Sequence, residues 1–227
     1  RDRQRGDEGS ALRSDRIQTI AFFGHANSLA PELTAPAWQK ALADLGLTWQ
    51  PRISTHAWHA VEGLPCDWHD YRQVDVVVAV RSFRARDARQ TQNFHNKPAT
   101  KLYNAWLAGV PAILGEESAY QAERRSELDF FEVSSPSQAL AALKRLQQDV
   151  GLYRAMVENG LRRAEAIRPE VTVQRWLTFV DRVAVPAYER WCNYSAWGRA
   201  RVLGQRWGAA SWTRAEQKVR SHLRAGP

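Results

Sequence analysis

Lys101 stands at the start of a segment whose residue types could hold an anion. The segment is Lys97-Pro98-Ala99-Thr100-Lys101-Leu102-Tyr103-Asn104-Ala105-Trp106-Leu107-Ala108. It ends at Gly109 and runs into Val110-Pro111-Ala112-Ile113-Leu114. That order reads as a helix start, an amphipathic helix, a glycine turn and a short buried strand. A lysine in the first helical turn adds its charge to the positive end of the helix dipole. Such a place favours anions and is otherwise a poor one for a lysine. The chemistry is neutralisation of a phosphate; the alternative is a solvated surface lysine.

Other candidates fall where strands end. Arg81 follows the β-branched run Asp75-Val76-Val77-Val78-Ala79-Val80. Its planar guanidinium suits a phosphate, and an ion pair with a neighbouring acid is the alternative. Gly24 ends the expected strand Ile17 to Phe23, where a missing side chain lets a ligand approach the backbone; a plain strand-ending glycine is the alternative. Asn27 lies in the same loop and could touch phosphate or sugar, or serve a turn. His25 reads as a non-catalytic loop histidine. Glu117 and Ser118 follow the strand at 111–114. Glu117 could bind sugar hydroxyls, and Ser118 could contact an anion or cap a helix.

Aromatic residues in Trp58-His59 and Trp68-His69-Asp70-Tyr71 could stack on a base or pack in the core. His59, His69 and Asp70 form no metal-ligand or catalytic-triad spacing. No metal, cofactor or catalytic base is named from these residues.

The elements that must position them alternate strand and helix. Strands are expected at 17–23, 47–53, 75–80, 111–114 and 129–133. Helices are expected at about 32–45, 67–74, 117–126 and 150–167, with another from Ser135-Pro136 that buries Leu140, Leu143 and Leu146. The continuous apolar run at 75–80 points to a strand covered on both faces, hence a parallel sheet. The fold expected is therefore α/β, a Rossmann-like doubly wound parallel sheet with a helical C-terminal extension. Ligands of such sheets sit outside the carboxyl ends of the strands, where the candidate residues fall. The long polar loop 82–96 lies at that edge.

Three regions are expected: a linker or disordered arm at 1–16, a donor-binding domain at 17–168, and a basic, Trp-rich helical extension at 169–227. The extension is expected to break at Pro186 and to have further breaks at Gly198, Gly204 and Gly208. With 44% hydrophobic and 25% charged residues the composition is that of a soluble globular chain, and no apolar run is long enough to span a bilayer. Cys66 and Cys192 are far apart and read as two reduced thiols in a cytoplasmic protein. The net charge is +8, and nine Arg or Lys against two Glu from Arg182 onward supply +7 of it. Four tryptophans, at 191, 197, 207 and 212, share that stretch. An anionic partner is implied: phospholipid headgroups, nucleic acid or an acidic protein face.

Phe23-Gly24, Asp75-Val-Val-Val, Lys101-Leu-Tyr-Asn-Ala-Trp-Leu-Ala-Gly-Val-Pro-Ala-Ile and Asp149 to Arg163 occur in the order found in GT-B glycosyltransferases. Residues 17–180 resemble the C-terminal, nucleotide-sugar-binding half of such an enzyme. The resemblance implies that Lys101 contacts the donor diphosphate. It also implies that the loop bearing Glu117 and Ser118 meets the donor sugar or diphosphate. The family's ribose-binding Glu is replaced by Asn104, whose amide can still bond a hydroxyl without charge assistance. The acidic residue often found eight positions earlier is Asn96. The donor is a substrate, so neither cofactor nor metal is implied. A second Rossmann-like half is expected upstream of Arg1, and it would carry the acceptor base.

The leading expectation is thus the donor half of a glycosyltransferase. A nucleotide-binding or regulatory module without turnover is the alternative, consistent with Asn104. A nucleic-acid-binding protein accounts for the tail but not for the sheet-edge motif. Residues 190–224 are expected to meet an anionic membrane surface, as a peripheral attachment, or the missing half-domain.

Overall fold

The computed structural model describes residues 16–54, 70, 71, 73–84, 87 and 94–223. The expected arm, Cys66, Trp58-His59, Trp68-His69 and much of the loop 82–96 lie outside them. The chain divides into two compact units, one ending at Ile167 and the other beginning at Arg168.

The first unit is built on a five-stranded sheet: β1 (Thr19–His25), β2 (Thr48–Ser54), β3 (Val76–Ala79), β4 (Ala112–Gly115) and β5 (Phe131–Val133). Their order is β2-β1-β3-β4-β5, and every pairing is parallel. β3 consists of valines and alanine and is buried at each position, because helices cover both faces of a sheet connected by crossovers. This is the Rossmann-like α/β architecture expected of the sequence. Asp75, just ahead of β3, holds the other end of the sheet. Its Oδ2 accepts the backbone N–H groups of Gln18 and Thr19, each at 2.8 Å.

Among the described residues five α-helices belong to this unit: α1 (Pro36–Asp44), α2 (Thr100–Leu107), α3 (Ser118–Glu123), α4 (Pro136–Gln148) and α5 (Val150–Glu165). α2 buries Leu102, Ala105 and Trp106, one face at helical spacing. It packs on α5, where Gly160 lies against Trp106. α4 begins as the sequence announces, with Pro136 at its first position and the Ser135 hydroxyl accepting the Gln138 N–H at 3.2 Å. Its buried face is Ala139, Ala142, Leu143 and Leu146; Leu140 is only half-buried.

Several boundaries differ from expectation. The helix expected at 32–45 is a short 3-10 turn, Pro31–Leu33, followed by α1. Residues 70, 71, 73 and 74 are not helical, contrary to the helix expected at 67–74. The strand expected from Asp129 begins only at Phe131, because Asp129 is bound into a turn. Its Oδ2 accepts the N–H groups of Arg125 and Ser126, each at 2.7 Å. Its Oδ1 accepts the Asn159 amide at 2.9 Å and lies 3.3 Å from Arg163 Nε. Burial opposes ionisation of this carboxyl. The hydrogen bonds and the Arg163 charge outweigh it and hold Asp129 below its ordinary range.

The second unit is helical: α6 (Pro169–Phe179), a π-helical turn (Val180–Ala184), α7 (Val185–Asn193) and α8 (Ala196–Leu223). Pro186 does not break it. The proline is the second residue of α7, directly after the π turn, whose wider spacing accommodates its ring and missing N–H. The interruption falls instead at Tyr194, whose backbone is extended. Gly198, Gly204 and Gly208 all lie within α8. Among the described residues no helix is long and apolar enough to cross a membrane.

Candidate functional site

In the strand order β2-β1-β3-β4-β5, the chain leaves β1 for one side of the sheet and later returns to the other. The crevice between the carboxyl ends of β1 and β3 is the topological switch point. Gly24 is the second-to-last residue of β1, Arg81 lies two residues beyond β3, and Lys101 is in the first turn of α2. These three, with Glu117, come together there.

Gly24 has φ +150, a backbone conformation that side chains rarely adopt. A Cβ at Gly24 would stand 3.1 Å from the Phe22 ring and 3.3 Å from Lys101 Cε. The glycine therefore makes room for the lysine. Lys101 Nζ lies over the Phe22 ring, 5.5 Å from its centroid, a cation–π contact. Among the described residues it makes no ion pair or hydrogen bond. Burial disfavours its charge, and the neighbouring Arg81 adds to that. Glu117 offsets part, and Lys97 opposes it again. The Lys101 ammonium is pushed down to about 8.

α2 begins at Thr100 without a side-chain cap and without an acid in its first turn. Among the described residues no acceptor meets the N–H groups of Thr100, Lys101 and Leu102. Free first-turn N–H groups are what an anion engages at a helix start.

Arg81 is held from within the protein. Its Nε donates to Glu117 Oε2 at 3.0 Å, and its NH1 donates to the Ser28 hydroxyl at 2.9 Å. The guanidinium also lies over the Phe94 ring, 6.0 Å away. Phe94 itself has φ +55, and its carbonyl accepts the Lys97 N–H at 2.8 Å. Glu117 is only 2% exposed. Burial raises its pKa; the Arg81 charge and hydrogen bond, then Lys101 and Lys97, pull against that rise without cancelling it. One buried carboxylate is thus ringed by three cations, and the cluster keeps a positive excess.

The remaining expected residues are placed differently. Ser118 is the first residue of α3 and not its cap; Glu117 occupies the cap position with its side chain turned to Arg81. Asn27 is exposed on a 3-10 turn, Ala26–Ser28, and its Oδ1 is 3.5 Å from the Ser28 hydroxyl. Asn104, one turn beyond Lys101 on α2, is joined by a side-chain hydrogen bond to Tyr71. Tyr71 is buried and stacked on Phe23, ring centroids 4.0 Å apart, so its ring serves core packing. Burial pushes its hydroxyl up to about 12 against the opposing Asn104 bond.

Ser28 and Phe94 were not singled out in the sequence. Ser28 shares the loop of Gly24 and Asn27, so its position carried a signal. Phe94 had none, since nothing in a polar loop marks an aromatic as a guanidinium platform. Among the described residues no three His, Cys, Asp or Glu side chains converge as a metal site would require.

Compared with models of known protein families the chain matches none, and comparison with curated proteins finds no significant relative.

Proposed function

We propose that the first unit binds the diphosphate of a nucleotide sugar at the β1/β3 switch point, as the donor half of a glycosyltransferase. The observation that carries this reading is the convergence of Lys101, lacking an internal ion pair among the described residues, with the open first turn of α2 and the side-chain-free backbone of Gly24. A diphosphate needs such a combination: a cation, several N–H donors and close backbone approach. Arg81, fixed by Glu117 and Ser28, supplies field more than direct contact. When the sugar leaves, the nucleoside diphosphate gains negative charge, and Lys101 neutralises it without reorganisation. The acceptor and its base belong to the partner half of such an enzyme.

A second reading, nucleotide binding without turnover, is favoured by the bond that occupies Asn104 with Tyr71. Thermal-shift measurements with UDP, GDP, ADP and CMP sugars test the first step common to both. Stabilisation by at least one nucleotide, lost in Lys101→Ala, is expected. No stabilisation by any of them overturns both readings. Nucleotide binding with no sugar transfer to any acceptor offered selects the second.

A further inference from the structure

We propose that α8 lies on an anionic lipid surface, with its tryptophans in the interfacial layer and its arginines toward the headgroups and water. This inference is independent of the nucleotide site. Between Arg190 and Ala215 the chain has no Asp or Glu, yet it carries Arg190, Arg199, Arg201, Arg206 and Arg214. α8 runs unbroken from Ala196 to Leu223 despite three glycines. Counting from Trp197, the positions three, seven, ten, eleven, fourteen and fifteen residues on are Ala200, Gly204, Trp207, Gly208, Ser211 and Trp212. At helical spacing these share one arc, and its one charge between Trp197 and Trp212 is Arg201, beside Gly208 and Trp212. Arg199 and Arg206 lie opposite.

The three tryptophans of this face are exposed by 87%, 74% and 70%. Three large indoles in water along one helix are a costly surface unless something covers it. On that arc the residues between the indoles are Gly, Ala, Ser and Arg201; Val202 and Leu203 lie off it. That composition makes a poor interlocking seam for a second helix, which needs branched aliphatic knobs. It makes a good interfacial face, because tryptophan combines a large apolar ring with an N–H that stays near the headgroups. The arginines on the other side match anionic lipid in charge and reach phosphate along their flexible stems. A nucleic acid bound by those arginines would leave the tryptophan face in water. The helix is not apolar enough to cross a bilayer, so it lies along the surface.

The test is co-sedimentation of the whole chain with vesicles of phosphatidylcholine alone, or of equimolar phosphatidylcholine and phosphatidylglycerol. Binding is expected to the mixed vesicles and to be weak on the neutral ones. Neutralising Arg199, Arg201 and Arg206 together, each to Gln, is expected to weaken it by roughly fivefold per charge near the surface. Trp207→Ser with Trp212→Ser is expected to weaken it while leaving the salt dependence in place. Helix content of each variant, read by circular dichroism, is expected to match the parent. Equal binding to both vesicle types overturns the proposal, as does no binding to either. Retention on duplex DNA without vesicle binding overturns it in favour of nucleic acid. A concentration-dependent dimer without vesicle binding overturns it in favour of a second copy.

Discussion

Arg81 and Glu117 are 36 residues apart in sequence and meet with Nε and Oε2 at 3.0 Å, deep enough that Glu117 is 2% exposed. The pair bridges the end of β3 to the start of α3. Glu117→Gln leaves a guanidinium facing Lys101 and Lys97 without its counter-charge. Breaking a buried pair from one side costs about 3–5 kcal/mol. The variant is expected to unfold at lower urea, and part of the loss is expected to return on adding a nucleoside diphosphate. Urea titration with and without UDP reads both effects.

Lys101 gives binding a pH dependence. Its pKa is depressed to about 8, and a diphosphate placed beside it is expected to raise it again. Above pH 8 the free protein has lost the proton that the complex holds. Affinity is therefore greatest below pH 8 and falls as pH rises through it, by up to about tenfold per unit. Calorimetry in buffers of different ionisation heat should show proton uptake on binding. In Lys101→Arg, whose charge does not titrate here, the slope is expected to vanish.

Gly24→Ala puts a methyl against Phe22 and Lys101 Cε in a backbone conformation it resists. Such strain costs of order 1–3 kcal/mol. Because the methyl meets the lysine stem, nucleotide stabilisation should fall together with the unfolding midpoint. A variant that loses stability but keeps its full thermal shift with nucleotide would separate Gly24 from the site.

Asp129 is buried among Arg163, Asn159 and two backbone N–H groups, and its pKa is held below the ordinary 3.8. For a depressed carboxyl the stabilisation is present above the unfolded value and lost as pH falls through the folded one. The parent is expected to lose stability below about pH 4. Asp129→Asn should lose about 1–3 kcal/mol at neutral pH: Arg163 keeps its ion pair with Glu123 at 3.4 Å, but the charge-assisted bonds to the Arg125 and Ser126 N–H groups are lost. It should also lack that part of the acid slope. Denaturation curves at pH 7, 4 and 3 check it.

The sheet was legible because Val76 to Val80 can only be a strand covered on both sides, and Pro136 after Ser135 can hardly be anything but a helix start. Lys101 was legible because its helix runs between a proline and a glycine. The partners of Arg81 were not, since pairing Arg81 with Glu117 rather than Glu116 depends on which residue the turn after β4 aims inward. Asp129 misled for a related reason. A carboxylate before two phenylalanines looks like a strand start, and its burial rests on the Arg125 and Ser126 N–H groups together with the Asn159 and Arg163 side chains of α5. Pro186 misled because a π turn absorbs the strain that a proline usually resolves by ending a helix.

The backbone N–H of Ala30 donates to the carbonyl of Val80 at 2.7 Å, and both residues are fully buried. This bond stitches the segment that follows β1 to the end of β3, across the crevice where Lys101, Gly24 and Arg81 meet. A buried backbone bond of that kind is costly to leave unmade. The gap at the switch point therefore has a set gauge. The spacing between the ends of β1 and β3 is thus built into the fold rather than left to an occupant to impose.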